Sequence, residues 1–321
     1  MIRSDNLNCF KKMNIIFFGS SKFAVPALKK ISLAGYNIAC VITQPDQKKG
    51  RGLKNSFTPV KEAALELGLK VRQPARLRNR EEIEFLKKVD ADLFIVIAYG
   101  RILSAEALGI PRIFAVNLHA SLLPKYRGAA PINWVLINGE KITGNTIIRM
   151  NEKPDEGDII AQQPQEIDED DTESTLEEKL AVSGAELLIS ALPGIAKGSC
   201  RFIVQDGGKA TLAPKLNKHN GAIDWAKTAT QIRNLIRGVN IWPGAFTRHN
   251  GKILKIHSAQ VISEETADLP GTITQASSAG IIVAAGKYKL LIKELQAEGK
   301  RKMTAKDFIS GYKLAAGQIL G

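Results

Sequence analysis

One short stretch of the sequence carries residue types suited to carbonyl chemistry. Asn117 and His119 stand two positions apart in residues 117–131, NLHASLLPKYRGAAP, and His119 is the first of the chain's four histidines. Residues two apart on a strand face the same side, so both side chains would point into one cleft. An amide can donate to an oxyanion, and an imidazole can move a proton near pH 7. The pair therefore suits attack on a carbonyl, although a histidine bonded only to nearby backbone is the competing interpretation.

A carboxylate in the segment MNEKPDEGDII, residues 150–160, would complete such a site. Its Pro-Asp-Glu-Gly is a turn signature, so the carboxylates could serve only the turn and solvent. Alternatively, the turn carries one of them back to the cleft. Spacing alone does not choose among Glu152, Asp155, Glu156 and Asp158.

The elements that must position these residues follow from hydrophobic patterning. Four apolar runs predict buried strands, NIIFFG, NIACVIT, ADLFIVIAYG and FAVNLHAS. Segments such as FAVPALKKISLAG, PVKEAALELGLK and PINWVLINGEK predict helices between and after them. This alternation predicts an α/β fold, a doubly wound and mostly parallel sheet. Ligands of such sheets bind at the carboxyl ends of the strands, where Tyr99, Asn117 and His119 fall.

The chain changes character after the long helical segment STLEEKLAVSGAELLISALPGIAKG. We expect a tail over residues 1–12, a first domain over 13–204, a Gly-, Pro- and Lys-rich linker over 205–216 and a second domain over 217–321. Short apolar segments in the last part, KILKIHSAQVI, GTITQA, AGIIVAAG and YKLLIKELQ, predict a small β-barrel.

Charge is concentrated in the C-terminal part. Residues 209–321 hold 17 Lys/Arg and 7 Asp/Glu, whereas the first 208 residues hold 28 and 25, within a total net charge of +13. This asymmetry indicates an anionic partner for the C-terminal part, nucleic acid first. A solubilising lysine-rich surface is the alternative.

Several function classes are disfavoured by missing motifs. The first strand is followed by GSSKFAVPAL, which has only Gly19 where a dinucleotide loop would show GxGxxG. Walker-type GxxxxGK[ST] and HExxH motifs do not occur, and no ligand cluster predicts a metal. Cys9, Cys40 and Cys200 form no CxxC pair, which fits a reducing cytosol. We expect no membrane segment, because no apolar run approaches roughly 18–20 residues.

Longer motifs resemble those of the methionyl-tRNA formyltransferase family, in order from about residue 13 to 311. They include IIFFGSSKFAVPAL, TQPDQKKGRG, VIAYGRILS, NLHASLLPKYRGAAPINWVLINGEKITGNTI and MNEKPDEGDII. The NxHxSLLPxxRGxxP stretch alone would specify only the wider formyl-tetrahydrofolate transformylases. APKLNKHNGAIDW, NIWPGAFT and LQAEGKRKMTAKDFISG narrow the resemblance to the tRNA enzymes.

The resemblance implies a Rossmann-like domain joined to an OB-like β-barrel, with Asp155 as the carboxylate that acts with Asn117 and His119. It implies 10-formyltetrahydrofolate as donor, the methionyl group of initiator tRNA as acceptor, and no metal. The protein would be a cytoplasmic monomer with no DNA or membrane partner.

The resemblance also implies binding residues. The folate contacts would be Tyr99, Gly100, Ser121, Leu122, Leu123, Pro124 and Gly157. A loop after the second strand would contact tRNA through Lys48, Lys49, Arg51 and Lys54, although Gln47 replaces the arginine that the family often has there.

Two rival functions stay open. One is a formyl-tetrahydrofolate transformylase or hydrolase with a small acceptor, which would have no use for so basic a second domain. The other is a nucleic-acid-binding protein with an inactive α/β domain, which would have no reason to keep Asn117, His119 and Asp155 together.

Overall fold

The computed structural model describes residues 13–49, 54–312 and 314–321. The chain divides into two compact units, each built from three stretches of sequence. The first unit takes the described residues of Met1–Pro131, Ile142–Glu166 and Glu177–Ala213. The second takes those of Ile132–Lys141, Ile167–Leu176 and Pro214–Gly321. The predicted domain limits at 204 and 217 remain a prediction.

A seven-stranded sheet forms the centre of the first unit, in the order β5-β2-β1-β6-β7-β8-β9. The first five strands in that order pair in parallel, β8 pairs antiparallel with β7, and β9 pairs antiparallel with β8. The predicted Rossmann-like, mostly parallel sheet is therefore confirmed. The strand bounds are β1 Asn14–Gly19, β2 Asn37–Ile42, β3 Gln47–Lys49, β4 Lys54–Ser56, β5 Val71–Arg72, β6 Leu93–Ile97, β7 Phe114–His119, β8 Ile142–Arg149 and β9 Ile159–Glu166, of which β3 and β4 form a separate antiparallel pair.

Apolar residues explain why the central strands lie inside. Every residue of β6 is buried, and so are five of the six in β1, which is the pattern of strands covered on both faces. Helices connect and follow the strands: α1 Val25–Leu33, α2 Pro59–Glu66, α3 Arg80–Val89, α4 Ala105–Leu108, α5 Pro131–Ile137 and α6 Glu173–Ala196.

Helix α6 is long and apolar enough, by length and composition, to cross a bilayer. Its buried residues nevertheless recur at helical spacing, as expected of a helix with one face against a protein core. They are Leu176, Leu180, Ala181, Gly184, Ala185, Leu188, Leu192 and Ile195.

The second unit contains an antiparallel sheet of six strands in the order β10-β11-β14-β13-β12, with β15 beside β14. The four segments predicted as strands correspond to β11–β14. The bounds are β10 Ala245–His249, β11 Lys252–Ile262, β12 Ile273–Ser277, β13 Gly280–Ala284, β14 Lys289–Ala297, β15 Met303–Thr304, α7 Ala229–Gly238 and α8 Ala305–Gly311.

Helix α7 makes hydrogen bonds to the two earlier segments that belong to this second unit, Ile132–Lys141 and Ile167–Leu176. The Asn133 side-chain amide donates to the Gly238 carbonyl at 2.8 Å. Arg237 is buried, and its guanidinium donates to the carbonyls of Asp168, Glu169 and Asp171 at 3.2–3.3 Å. Burial lowers the pKa of Arg237, and these carbonyls replace the water that the buried cation loses.

Candidate active site

Strand β7 delivers two predicted site residues to the carboxyl edge of the sheet. Asn117 and His119 are two apart on this strand, and both reach Asp155. The Asn117 amide nitrogen donates to Asp155 Oδ1 at 3.3 Å, and His119 Nδ1 lies 3.5 Å from the same oxygen. The structure therefore brings the three side chains together at one carboxylate oxygen.

The His119 ring lies between two oxygens. Its side chain is only 6% exposed, and Nε2 lies 2.9 Å from the Tyr126 carbonyl. A carbonyl only accepts, so Nε2 carries a proton and donates. Nδ1 is then the nitrogen that faces Asp155, at a distance longer than an ordinary hydrogen bond.

The turn after β8 carries Asp155 back to the cleft. Asp155 has a left-handed backbone, with φ of 57°, which costs energy for a residue with a Cβ. Its second oxygen accepts from the Gly128 amide at 2.8 Å. Gly128 itself has φ of 127°, and a Cβ there would lie 2.6 Å from the Ala213 carbonyl. Glycine is therefore required where this backbone amide approaches the carboxylate.

The structure distinguishes among the four carboxylates that spacing left open. Glu152 is exposed, and Glu156 pairs with Arg127 at 3.4 Å. Asp158 contributes its carbonyl to the Arg149 amide, at 2.9 Å. Among the described residues, Asp155 is the one of these four whose side chain contacts both Asn117 and His119.

The predicted folate residues follow the ends of β6 and β7, apart from Gly157 in the Asp155 turn, and they differ in burial. The side chains of Tyr99, Ser121 and Leu123 are buried, so they can offer a ligand little beyond backbone atoms. Leu122 and Pro124 are half-buried and Gly100 is exposed. Gly157 is buried, and a Cβ there would collide with the Arg149 carbonyl. The folate roles remain predictions.

The Tyr99 ring belongs to the core rather than to a surface. It packs edge-on against Phe18 with ring centroids 5.6 Å apart, and burial raises the pKa of its hydroxyl. Its carbonyl accepts from the Gln44 side chain at 2.8 Å and from the Ser20 hydroxyl at 3.1 Å. These bonds fix the backbone at the end of β6.

Three of the four predicted tRNA residues fall in the strand pair β3–β4. Lys48 and Lys49 belong to β3 and Lys54 to β4. Arg51 lies outside the described residues. The predicted loop thus includes two short strands, and the role of these cations remains a prediction.

Asp46 anchors the chain just before β3. Its carboxylate accepts from Lys61 Nζ at 2.6 Å and from the Gln73 amide at 2.8 Å. These two hydrogen bonds hold the pKa of Asp46 below its usual value. The residue before the strand pair is therefore fixed to helix α2 and to the segment after β5.

Sequence reasoning missed one group of residues at this site, in the predicted linker. The Gln205 side-chain amide donates to the carbonyls of Asp155 and Gly157, at 2.7 Å each. Further along, the Arg127 amide donates to the Thr211 carbonyl at 2.8 Å, and the Ala213 amide donates to the Arg127 carbonyl at 2.7 Å. Nothing in the composition of this stretch distinguishes it from a solvated linker.

No group of three or more His, Cys, Asp or Glu is placed to hold a metal ion in the described part of the chain. The arrangement that is present combines an amide donor, an imidazole and a carboxylate. It can stabilise an oxyanion and transfer a proton.

Comparisons with known proteins agree with this chemistry. Residues 12–192 match the family model of formyl transferase, and residues 215–313 match that of the formyl transferase C-terminal domain. The methionyl-tRNA formyltransferase of Caldanaerobacter subterraneus subsp. tengcongensis is 45% identical over 96% of this chain and 100% of its own length. That of Acetivibrio thermocellus is 43% identical, with the same coverage of both chains.

Solved structures share the fold at lower identity. The crystal structure of WlaRD, a sugar 3N-formyl transferase, with dTDP and 5-N-formyl-THF, matches with a TM-score of 0.67 and 22% identity, over 90% of this chain and 99% of that one. Aquifex aeolicus HypX in complex with tetrahydrofolic acid matches with a TM-score of 0.64 and 16% identity, over 92% of this chain and 47% of that one. From the identity and coverage of the first two relatives, the chain belongs to the methionyl-tRNA formyltransferase family, whose members are formyl-transferring enzymes.

Proposed function

We propose that the chain transfers the formyl group of 10-formyltetrahydrofolate to the α-amino group of methionine on initiator tRNA, for translation initiation. The observation that carries this proposal is the convergence of Asn117 and His119 on one oxygen of Asp155 at the ligand edge of the sheet. An oxyanion donor and a proton carrier are what acyl transfer to an amine requires.

In this mechanism the free amine attacks the formyl carbon. An α-amino group has a pKa of about 7.7–8.0 in peptides, so a useful fraction is already neutral at pH 7. A new C–N bond forms, and the formyl oxygen becomes an oxyanion. Asn117 donates to that oxygen, because its side-chain NH₂ has two hydrogens and the bond to Asp155 uses only one of them. Such bonds often tighten only in the reacting complex.

His119 then moves the proton. The amine loses a proton as the bond between the formyl carbon and the folate N10 breaks, and that nitrogen gains one. The Nε2–H of His119 is committed to the Tyr126 carbonyl, so Nδ1 is the nitrogen available for this transfer. Asp155 lies 3.5 Å from Nδ1 and stabilises the ring when it holds the extra proton.

We assign the binding surfaces from the exposure, position and charge of the residues. Exposed Gly100 and half-buried Leu122 and Pro124 would border the folate at the strand ends. The strand pair β3–β4, with Lys48, Lys49 and Lys54, would contact the acceptor arm. The antiparallel sheet of the second unit would act as an OB-like tRNA-binding barrel, because residues 209–321 carry most of the net charge. The enzyme would work as a cytoplasmic monomer without DNA or membrane partners.

The test is formylation of charged initiator tRNA by the purified chain with 10-formyltetrahydrofolate. Formyl transfer to the tRNA, lost in His119→Ala, is the expected result. Formylation of a small amine but not of the tRNA would favour the rival transformylase function. Salt-sensitive tRNA binding without formyl transfer would favour a nucleic-acid-binding protein.

A further inference from the structure

Gln205 connects the two loops that build the site. Its amide nitrogen donates to two carbonyls of the turn that carries Asp155, those of Asp155 and Gly157. Its amide oxygen accepts from Arg127 at 2.9 and 3.2 Å. Both ends of one side chain are therefore used, each with two hydrogen bonds.

The same two loops are joined a second time through the catalytic carboxylate. Gly128, the residue after Arg127, donates its backbone amide to Asp155 Oδ2. Asp155 is thus held at its carbonyl by Gln205 and at its carboxylate by Gly128. A ring of hydrogen bonds closes from Gln205 through Asp155 and Gly128 to Arg127.

Asp155 needs such support because its backbone conformation is unfavourable. A non-glycine residue with φ of 57° persists only where surrounding contacts hold it. The turn itself offers little more, since Lys153 and Pro154, the two residues before Asp155, are exposed. The orientation of the Asp155 carbonyl depends on the backbone dihedrals of Asp155. The hydrogen bond from Gln205 to this carbonyl therefore restrains that conformation.

We propose that Gln205 is a positioning residue for formyl transfer, which acts by holding the Asp155 turn so that Oδ1 faces both Asn117 and His119. The inference rests on the proposed function of Asp155. Gln205 is not expected to contact a substrate, because its side chain already makes four hydrogen bonds to protein groups. Its loss should therefore lower kcat while leaving the KM values of both substrates nearly unchanged.

Two substitutions of Gln205 show whether its bonds to the Asp155 and Gly157 carbonyls matter, or only its bonds to Arg127. Gln205→Leu removes all four hydrogen bonds. Gln205→Glu has the same size and still accepts from Arg127, but it places a carboxylate oxygen against the carbonyls of Asp155 and Gly157. If the carbonyl bonds matter, both variants should lose kcat, by about tenfold to a hundredfold, with each KM within threefold of wild type. Gln165→Leu is the matched control, because within the described part of the chain the Gln165 side-chain amide donates to the carbonyl of its neighbour Glu166 alone.

The decisive measurement is single-turnover formylation, with thermal unfolding to confirm that each variant is folded. Wild-type turnover in Gln205→Glu would overturn the inference, since Arg127 would then be the only partner that counts. Gln205→Leu is also made in an Asp155→Asn enzyme. If it lowers the turnover of that enzyme by the same factor as that of wild type, the inference is overturned, because Gln205 would then act independently of Asp155. If Gln205→Leu lowers turnover in wild type but has no further effect in Asp155→Asn, the inference is supported.

The outcome for Asp155→Asn alone tests the proposed function separately. An Asp155→Asn enzyme with full turnover would overturn the role of Asp155 itself. An inactive Asp155→Asn enzyme beside a fully active Gln205→Leu enzyme would leave the proposed function standing and remove only the positioning role.

Discussion

Replacing Asp155 with asparagine is the most informative change in the site. The side-chain oxygen of asparagine can still accept from the Gly128 amide, so the backbone anchor at 2.8 Å is retained. The NH₂ group then takes the place of Oδ1. This NH₂ group faces the Asn117 amide and His119 Nδ1. At Asn117, two hydrogen-bond donors then face each other. At His119, the ring loses the negative charge of the carboxylate.

The magnitude follows from the two contacts that are lost. A hydrogen bond to a charged group contributes about 1.5–3 kcal/mol. The bond from Asn117 and the bond that His119 forms once Nδ1 is protonated together contribute about 3–6 kcal/mol. If both act on the transition state, kcat falls about 10²- to 10⁴-fold, at roughly 1.4 kcal/mol for each factor of ten. The distances of 3.3 and 3.5 Å are long, so the loss reaches the upper end only if the contacts shorten when substrates bind.

The assay is the single-turnover rate of formylation at pH 7, with enzyme in excess over charged initiator tRNA. The tRNA dissociation constant is measured in parallel and should change less than about threefold, because the carboxylate acts after binding. A rate within tenfold of wild type in a folded Asp155→Asn enzyme would refute the reasoning. So would a loss that appears entirely in tRNA affinity.

Four further changes test other parts of the structure. Gly128→Ala should lower the unfolding midpoint by several degrees and kcat by at least tenfold, since its Cβ would lie 2.6 Å from the Ala213 carbonyl; unchanged values would show that the loop adapts. The lowered pKa of Asp46 means that its contribution to stability is present above the usual carboxyl pKa of about 3.9 and is lost as the pH falls through the lowered pKa. Wild type and Asp46→Asn should therefore differ in unfolding midpoint at pH 7 and converge once the pH is below that lowered pKa. Burial raises the pKa of Cys40 to about 11, so iodoacetamide at pH 8 should leave Cys40 unmodified until the chain unfolds, as peptide mapping would reveal. Binding of tRNA should weaken steeply between roughly 50 and 200 mM salt, because counterions are released from the phosphates; salt-independent affinity would contradict a basic binding surface.

Four of the five parallel strands were predictable because each carries its own signal, whereas β5 has only two residues and was not predicted. The runs IIFF and FIVI are apolar throughout and short, which favours strands covered on both faces. Asn117 and His119 stood out because a polar pair at a spacing of two interrupts such a strand. Strands β8 and β9 were not assigned, since polar residues such as Asn145 and Gln162 break the pattern. Asn145 is buried because its amide donates to the Leu180 carbonyl of α6, at 2.9 Å, and no local pattern reveals that partner.

The choice of Asp155 and the role of Gln205 depended on contacts between residues far apart in the sequence. Gly128 and Asp155 are 27 residues apart, and Gln205 and Asp155 are 50 apart. Local propensity contains no information about such pairs. Motif resemblance identified Asp155, because the family pattern includes it, and left Gln205 within a stretch that composition alone described as a linker.

The second unit also has a consequence for how the chain is made. Asn133 bonds to Gly238, 105 residues later, and Asp168 bonds to Arg237, 69 residues later. At roughly 5–20 residues per second, a ribosome delivers Gly238 about 5–20 s after α5. The five parallel strands, by contrast, are all synthesised once residue 119 has been added. Folding during synthesis can therefore begin with the first unit, while α5 and the 167–176 segment wait for the C-terminal third of the chain, and no single cut in the sequence separates the two units cleanly.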